Sequence, residues 1–197
     1  MQKVLTQSFF NRPTLLVTKE LLGKFLVRKV GVKEISGMIT EVEAYIGPED
    51  QASHASRGRT PRTEVMYGKP GYWYVYLIYG MHYCLNIVTE KKEYPAAILI
   101  RGIKINQKEP KGFTPLEIRR LGRLPQSGSL MGPGRVCKYF QIDKNFNAKK
   151  VSKVAGLCIE DSGVVVPSRR IRKSPRIGVD YAGKWKEKKW RFFMNIV

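Results

Sequence analysis

The chain has 197 residues, with 36 Lys and Arg against 16 Asp and Glu, a net charge of +20 and a sequence pI near 10.0. Hydrophobic residues make up 43%, enough for a packed core, which excludes wholesale disorder and sets the expectation of one domain over residues 1–197. The excess charge, held mostly in residues 101–197, disfavours an ordinary small-molecule enzyme and favours a polyanion bound through phosphate contacts and counterion release.

On composition alone, a protein that packages RNA fits at least as well as an enzyme. Cys84, Cys137 and Cys158 form no CxxC pair, and only His54 and His82 could join them, so no structural-zinc spacing exists. Neither metal nor cofactor is expected. The thiols read as core or surface residues of a reducing cytosol. The first ten residues have no sustained apolar run, so no signal peptide is expected, and no segment is long enough to span a membrane. The expected setting is cytoplasmic, beside the nucleoid in a bacterium.

In chain order, Asn11-Arg12-Pro13-Thr14 opens a short helix that ends at Gly23, with early proline and terminal glycine in their usual places. Lys24 to Val30 and Ile35 to Ile46 read as strands joined at Gly31. Gly47 to Pro61 is a loop rich in Gly, Pro, Ser and Arg, long enough to suggest a role. Tyr72 to Val88 reads as two strands meeting at a tight turn around Tyr79-Gly80. A strand follows at Ala97 to Ile103, then helices from Thr114-Pro115 through Leu121 and around Arg135 to Phe140. The basic C-terminal third reads as strand-like at Val164 to Val166, Arg176 to Val179 and Arg191 to Asn195. These elements imply an α+β fold (mixed α/β) with a largely antiparallel sheet.

Two stretches carry candidate chemistry. Glu41, Glu43, Glu49 and Asp50 lie within ten residues that hold no Lys or Arg, which is costly beside a polyanion. Strand alternation puts Glu41, Glu43 and Tyr45 on one face, with Val42 and Ala44 facing the core. A carboxylate beside an aromatic face can activate water while the ring stacks on a base. Pairing with Arg57, Arg59 or Arg62 is the plainer account, and the better one for Glu41 and Glu49. Spacing alone leaves Glu43 evenly divided between the two. In the second stretch, Tyr72, Tyr74 and Tyr76 alternate along one strand face, a pattern that core packing usually explains, although three hydroxyls in register need partners. Tyr79 stands at the expected hairpin tip, where Gly, Asn or Asp is usual. A projecting ring there suits a wedge that fills a vacated base stack; a covering loop is the alternative.

These residues resemble the alkyladenine (3-methyladenine) DNA glycosylases shared by vertebrates and many bacteria. The matching segments are Glu41 to Tyr45, Ser53 to Arg62, Tyr74 to His82 with Asn86, Ile98 to Arg101, Gly132 to Cys137 and Arg176 to Val179. Several long motifs in one order, from residue 41 nearly to the C-terminus, are far more specific than a single pattern.

The resemblance implies a curved antiparallel sheet with a protruding DNA-inserting hairpin. It makes Glu43 the general base for a water attacking the anomeric carbon, with Arg101 and the backbone carbonyl of Ile177 holding that water. Tyr45, His54 and Tyr76 become the walls of a pocket for a flipped purine. Asn86 would crowd the 2-amino group of normal guanine, and Tyr79 would intercalate. The implied partner is double-stranded DNA containing damaged purines, acted on by a monomer with no membrane association. With no lysine beside the Glu43 motif, no lyase step is expected. Lys138-Tyr139 and the aromatic Gly71-Tyr72-Trp73 depart from the family pattern, the first on a helix expected to face DNA. A non-catalytic nucleic-acid-binding protein on the same scaffold is the main alternative, and a two-carboxylate carbohydrate glycosidase a distant third.

Overall fold

The computed structural model describes residues 3–105, 112–121 and 128–194. β1 (Lys3–Val4), α1 (Gln7–Phe10) and α2 (Thr14–Leu21) precede the paired strands β2 (Phe25–Val30) and β3 (Lys33–Ile46). The hairpin of β4 (Trp73–Ile78) and β5 (His82–Val88) leads into β6 (Ala96–Lys104). α3 (Pro115–Leu121), β7 (Ser129–Met131), α4 (Pro133–Tyr139), β8 (Leu157–Asp161), β9 (Ile171–Ser174) and β10 (Arg191–Met194) complete the order.

Among the described residues the strands form one open antiparallel sheet in the order β1-β8-β2-β3-β6-β5-β4, with β7 on β6 and β9–β10 on β3. Each of these pairings is antiparallel, as expected from the sequence. β6 reads as a near-continuous apolar run because Ala96 to Ile100 is covered on both faces. α2 packs on β3 and β6, and α4 on β5 and β6. Trp73 is fully buried, its indole N–H donating to the Leu157 carbonyl at 3.3 Å, so this aromatic departure belongs to the core. Tyr139 is buried as well, while Lys138 beside it is exposed; only the lysine can alter what the helix presents outward.

β3 positions the site. Its first part pairs with β2, and its last part lies between β6 and β10. The C-terminal strand thereby reaches the acidic segment, with Arg191 opposite Glu43 and Phe193 opposite Glu41.

Two expected strands are absent. Val164 to Val166 suits a strand by residue type, yet it pairs with nothing in the sheet, and Val165 is 83% exposed. The strand lies just before it, in Leu157–Asp161, held between β1 and β2. Arg176 to Val179 is a bend, because Gly178 takes φ +75° and the Ile177 N–H binds a side chain instead of a neighbouring strand. Of the strand expected over Arg191 to Asn195, Asn195 lies outside the described residues.

Candidate active site

The alternation expected along Glu41, Glu43 and Tyr45 is interrupted by an irregularity that shapes the site. Glu41 pairs with Gly102 and Val42 with Ile100, so Arg101 is left without a partner across the ladder. A bulge of this kind re-aims a side chain. Arg101 turns between the two glutamates: its Nε donates to Glu41 Oε1 at 3.1 Å, and its Nη1 reaches Glu43 Oε2 at 3.4 Å. Gly102 permits the close approach, since a Cβ there would stand 2.8 Å from that of Glu41.

Glu41 is therefore paired, but with Arg101 and Arg191 rather than with Arg57, Arg59 or Arg62. Arg191 Nε donates to Glu41 Oε1 at 2.6 Å. Arg59 instead engages Glu64 and Glu93, and Arg62 stacks over the Tyr76 ring at 4.9 Å. Arg191, which sequence position alone groups with the outer basic residues, is part of the site. Glu49 is exposed.

Glu43 is fully buried and is held from three directions. The Tyr45 hydroxyl donates to Oε2 at 2.8 Å, the Ile177 N–H donates to Oε1 at 2.9 Å, and Arg101 stands 3.4 Å from each oxygen. Burial raises the Glu43 carboxyl above the usual carboxylate range, against the lowering influence of Arg101 and the hydrogen bonds from Ile177 and Tyr45. Ile177 thus meets the carboxylate through its N–H, a contact separate from the role its carbonyl has in the family resemblance. A buried acid with both oxygens held by donors is oriented and shielded.

Tyr45, Arg101 and Ile177 separate Glu43 from a cavity of about 380 Å³ and line its wall. His54, Tyr76 and Asn86 line the same cavity, and Tyr79 stands at its rim. Ser53 starts the short helical turn His54–Arg57 by accepting the Ala55 N–H, which sets His54 facing β4. His54 Nδ1 shares a hydrogen bond with the Tyr74 hydroxyl at 2.9 Å, and its ring meets Tyr76 edge-on at 4.6 Å between centroids. Burial and the neighbouring Arg62 and Arg57 push the imidazole down to about 4, so it is neutral at neutral pH. Asn86 spends its NH2 group on the carbonyls of Tyr74 and Cys84, at 3.1 and 3.4 Å, which fixes the amide orientation. Aromatic walls with a few fixed polar groups are the usual makeup of a pocket for a flat ligand.

Tyr79 is 87% exposed at the tip of the β4–β5 hairpin. The Met81 N–H donates to the Ile78 carbonyl at 3.1 Å, and both central residues take positive φ, Tyr79 at 51° and Gly80 at 67°. This backbone hand matches strand twist, and a non-glycine residue there carries local strain. Among the described residues no loop covers the ring.

The sequence model of the methylpurine-DNA glycosylase family matches residues 8–196. Among curated proteins, the chain is 44% identical to one from Methanocella arvoryzae, over 96% of this chain and 92% of that protein. It is 44% identical to a protein from the Wolbachia of Brugia malayi, over 96% of both chains, and 42% identical to one from Myxococcus xanthus, over 97% and 90%. All three carry the provisional name 3-methyladenine DNA glycosylase. The chain belongs to the methylpurine-DNA glycosylase family. It is a DNA glycosylase, a hydrolase of DNA repair, and among its described residues no helix is long and apolar enough to cross a membrane.

The structure of this glycosylase also brings in residues that pattern alone does not single out. Asp50, one of four acidic residues in its segment, is fully buried in a bidentate pair with Arg176 at 2.5 and 2.8 Å. The Tyr74 hydroxyl holds His54, and Tyr181 lines the cavity with its hydroxyl donating to the Ala52 carbonyl at 3.2 Å. Asp50 and Arg176 are 126 positions apart, and no local spacing signals such a pair.

Proposed function

We propose that this glycosylase flips alkylated or deaminated purines of the 3-methyladenine, 7-methylguanine and hypoxanthine class out of duplex DNA. It then hydrolyses the bond to deoxyribose, acting as a monomer without a lyase step. The observation that carries this reading is Glu43: a buried, triply held carboxylate behind the wall of an aromatic cavity, in a protein of charge +20.

In this reading the extruded purine stacks between Tyr45 on one side and His54 and Tyr76 on the other. Neutral His54 offers a hydrogen bond without adding charge. Asn86, its amide already fixed, crowds a 2-amino group and so disfavours normal guanine. Water reaches Glu43 on the Arg101 side, where the 3.4 Å contacts are looser than those to Tyr45 and Ile177. The water oxygen forms a bond to C1′ while the C1′–N bond breaks, its electron pair leaving with the base. The water's proton passes to Glu43. The developing positive charge on the sugar is stabilised by the same carboxylate. Tyr79 fills the gap in the stack.

The decisive measurement is single-turnover excision from duplexes holding one hypoxanthine or one 7-methylguanine. Base release that leaves the strand intact until alkali is added is the expected result, with loss in Glu43→Gln and retained lesion binding. Binding without release by the wild-type protein would favour the non-catalytic alternative.

A further inference from the structure

Behind Tyr45, on the side away from the cavity, a charge pair lies wholly within the protein. The Arg176 guanidinium sits 4.8 Å from the Tyr45 ring centroid and 5.1 Å from that of Trp190. Its side chain and that of Asp50 are both fully buried, and the two meet in a bidentate contact. Arg176 also donates to the carbonyls of Ala44 and Trp185, at 2.9 and 3.2 Å. Asp50 accepts the N–H groups of Ile46 and Ala52, at 3.2 and 3.1 Å. Fold stability alone does not call for such a pair, because removing two charges from water costs about as much as their attraction returns.

The position of the pair gives it a chemical consequence. An aromatic ring attracts a cation over its face through its quadrupole. A purine methylated at N3 or N7 carries a positive charge, whereas hypoxanthine is neutral. A base stacked on the cavity face of Tyr45 would lie about 8 Å from the guanidinium, once a stacking distance of about 3.5 Å is added to the observed one. An uncompensated arginine there would repel a cationic base while leaving a neutral one nearly untouched. Asp50 cancels that repulsion.

We propose that Asp50 is a specificity-determining residue, its carboxylate neutralising Arg176 behind Tyr45 so that the pocket accepts cationic as well as neutral damaged purines. This rests on the reading that a flipped purine stacks on Tyr45. As a positively charged base leaves, its charge passes to the sugar and then to the solvent, so the repulsion acts on the bound lesion more than on the transition state. The effect therefore belongs in affinity rather than in maximal rate.

The test measures single-turnover excision against enzyme concentration, on 7-methylguanine and hypoxanthine duplexes in parallel. Asp50→Asn keeps the size and some of the hydrogen bonds of the carboxylate but removes its charge. It is expected to raise the half-saturating concentration on 7-methylguanine roughly ten- to thirty-fold more than on hypoxanthine, with a smaller change in maximal rate. The double variant Asp50→Asn/Arg176→Gln, in which an amide pair carries no charge, is expected to bring the ratio of the two lesions back towards wild type even if both rates fall. Equal losses on both lesions, or a double variant that keeps the Asp50→Asn ratio, would show a purely structural pair and overturn the proposal. If Asp50→Asn fails to fold, Arg176→Gln decides: with the Asp50 carboxylate left uncompensated behind Tyr45, the half-saturating concentration on 7-methylguanine should fall relative to hypoxanthine, and an unchanged ratio overturns the proposal. Failure of the underlying reading looks different, because the wild-type protein would then excise neither base.

Discussion

Tyr45 and Tyr79 are the same residue type in one antiparallel sheet, yet their surroundings have little in common. Tyr45 has its hydroxyl on Glu43, a guanidinium behind its ring and a cavity in front. Tyr79 projects into solvent on a strained turn, 87% exposed. A ring held on several sides presents a fixed surface, as stacking and specificity require. A ring held by its backbone alone can enter a groove and adapt to it. In the proposed reaction the first belongs to recognition and chemistry and the second to extrusion, and each can be altered without the other.

The largest effect is expected beside Tyr45. Glu43→Gln should lower the single-turnover rate roughly 10²–10⁴-fold, the usual scale for a positioned base, with lesion binding kept. Because burial raises the Glu43 carboxyl, the wild-type rate should fall with pH as that group protonates, at a pH above the usual carboxylate range. The rate left in the variant should lose that limb. Glu41→Gln should cost less, since Glu41 is held by Arg101 and Arg191 and makes none of the contacts with Tyr45 and Ile177 that set Glu43 behind the cavity wall. Equal losses would mean that the carboxylate pair, not Glu43, is the functional unit.

A smaller effect separates the hairpin tip. Tyr79→Ala should leave the pocket intact and slow excision from a stably paired duplex by about tenfold, part of an unstacking cost of a few kcal/mol. The same lesion opposite a weak or missing partner should lose less, and Tyr79→Phe should be mild. A fluorescent base beside the lesion would report reduced unstacking. Equal slowing on both substrates would place Tyr79 with Tyr45 in the pocket and erase the contrast.

Away from both tyrosines, Lys184, Lys186, Lys188 and Lys189 are exposed. Neutralising them should weaken binding to damaged and undamaged duplexes alike and reduce the salt slope by up to about 0.9 per lost phosphate contact. A loss confined to damaged DNA would tie this surface to recognition instead.

At the pocket wall the expected effect is on stability rather than on rate or binding. Folding holds the His54 imidazole at about 4, against 6.5 when unperturbed, so the unfolded chain binds more protons between those values. The stabilisation is complete above 6.5 and lost as pH falls towards 4. His54→Gln should remove about 1–3 kcal/mol of that acid sensitivity, seen as a shallower fall of Tm between pH 6.5 and 4. An unchanged slope would show that His54 is more solvated than its contacts with Tyr74 and Tyr76 imply.

Most of the sheet is legible in the sequence, because strand alternation, turn residues and apolar runs are local signals. The β4–β5 hairpin with Tyr79 at its tip, the long β3 and the buried β6 were all legible in this way. Motifs resembling one family pointed to Glu43, Arg101, Tyr45, His54, Tyr76 and Asn86, which the fold gathers around one cavity wall. Which charges meet depends on segments that lie far apart in the chain. The bulge that turns Arg101 between two glutamates arises from register between β3 and β6, and Arg191 reaches Glu41 because β10 crosses 150 positions of sequence. The valine run at Val164 to Val166 has strand propensity but no partner, while Arg176 to Val179 bends because its donors bind Glu43, Asp50 and backbone carbonyls. Local propensity says what a segment prefers. Burial of a charge is decided by whatever the rest of the chain brings to meet it.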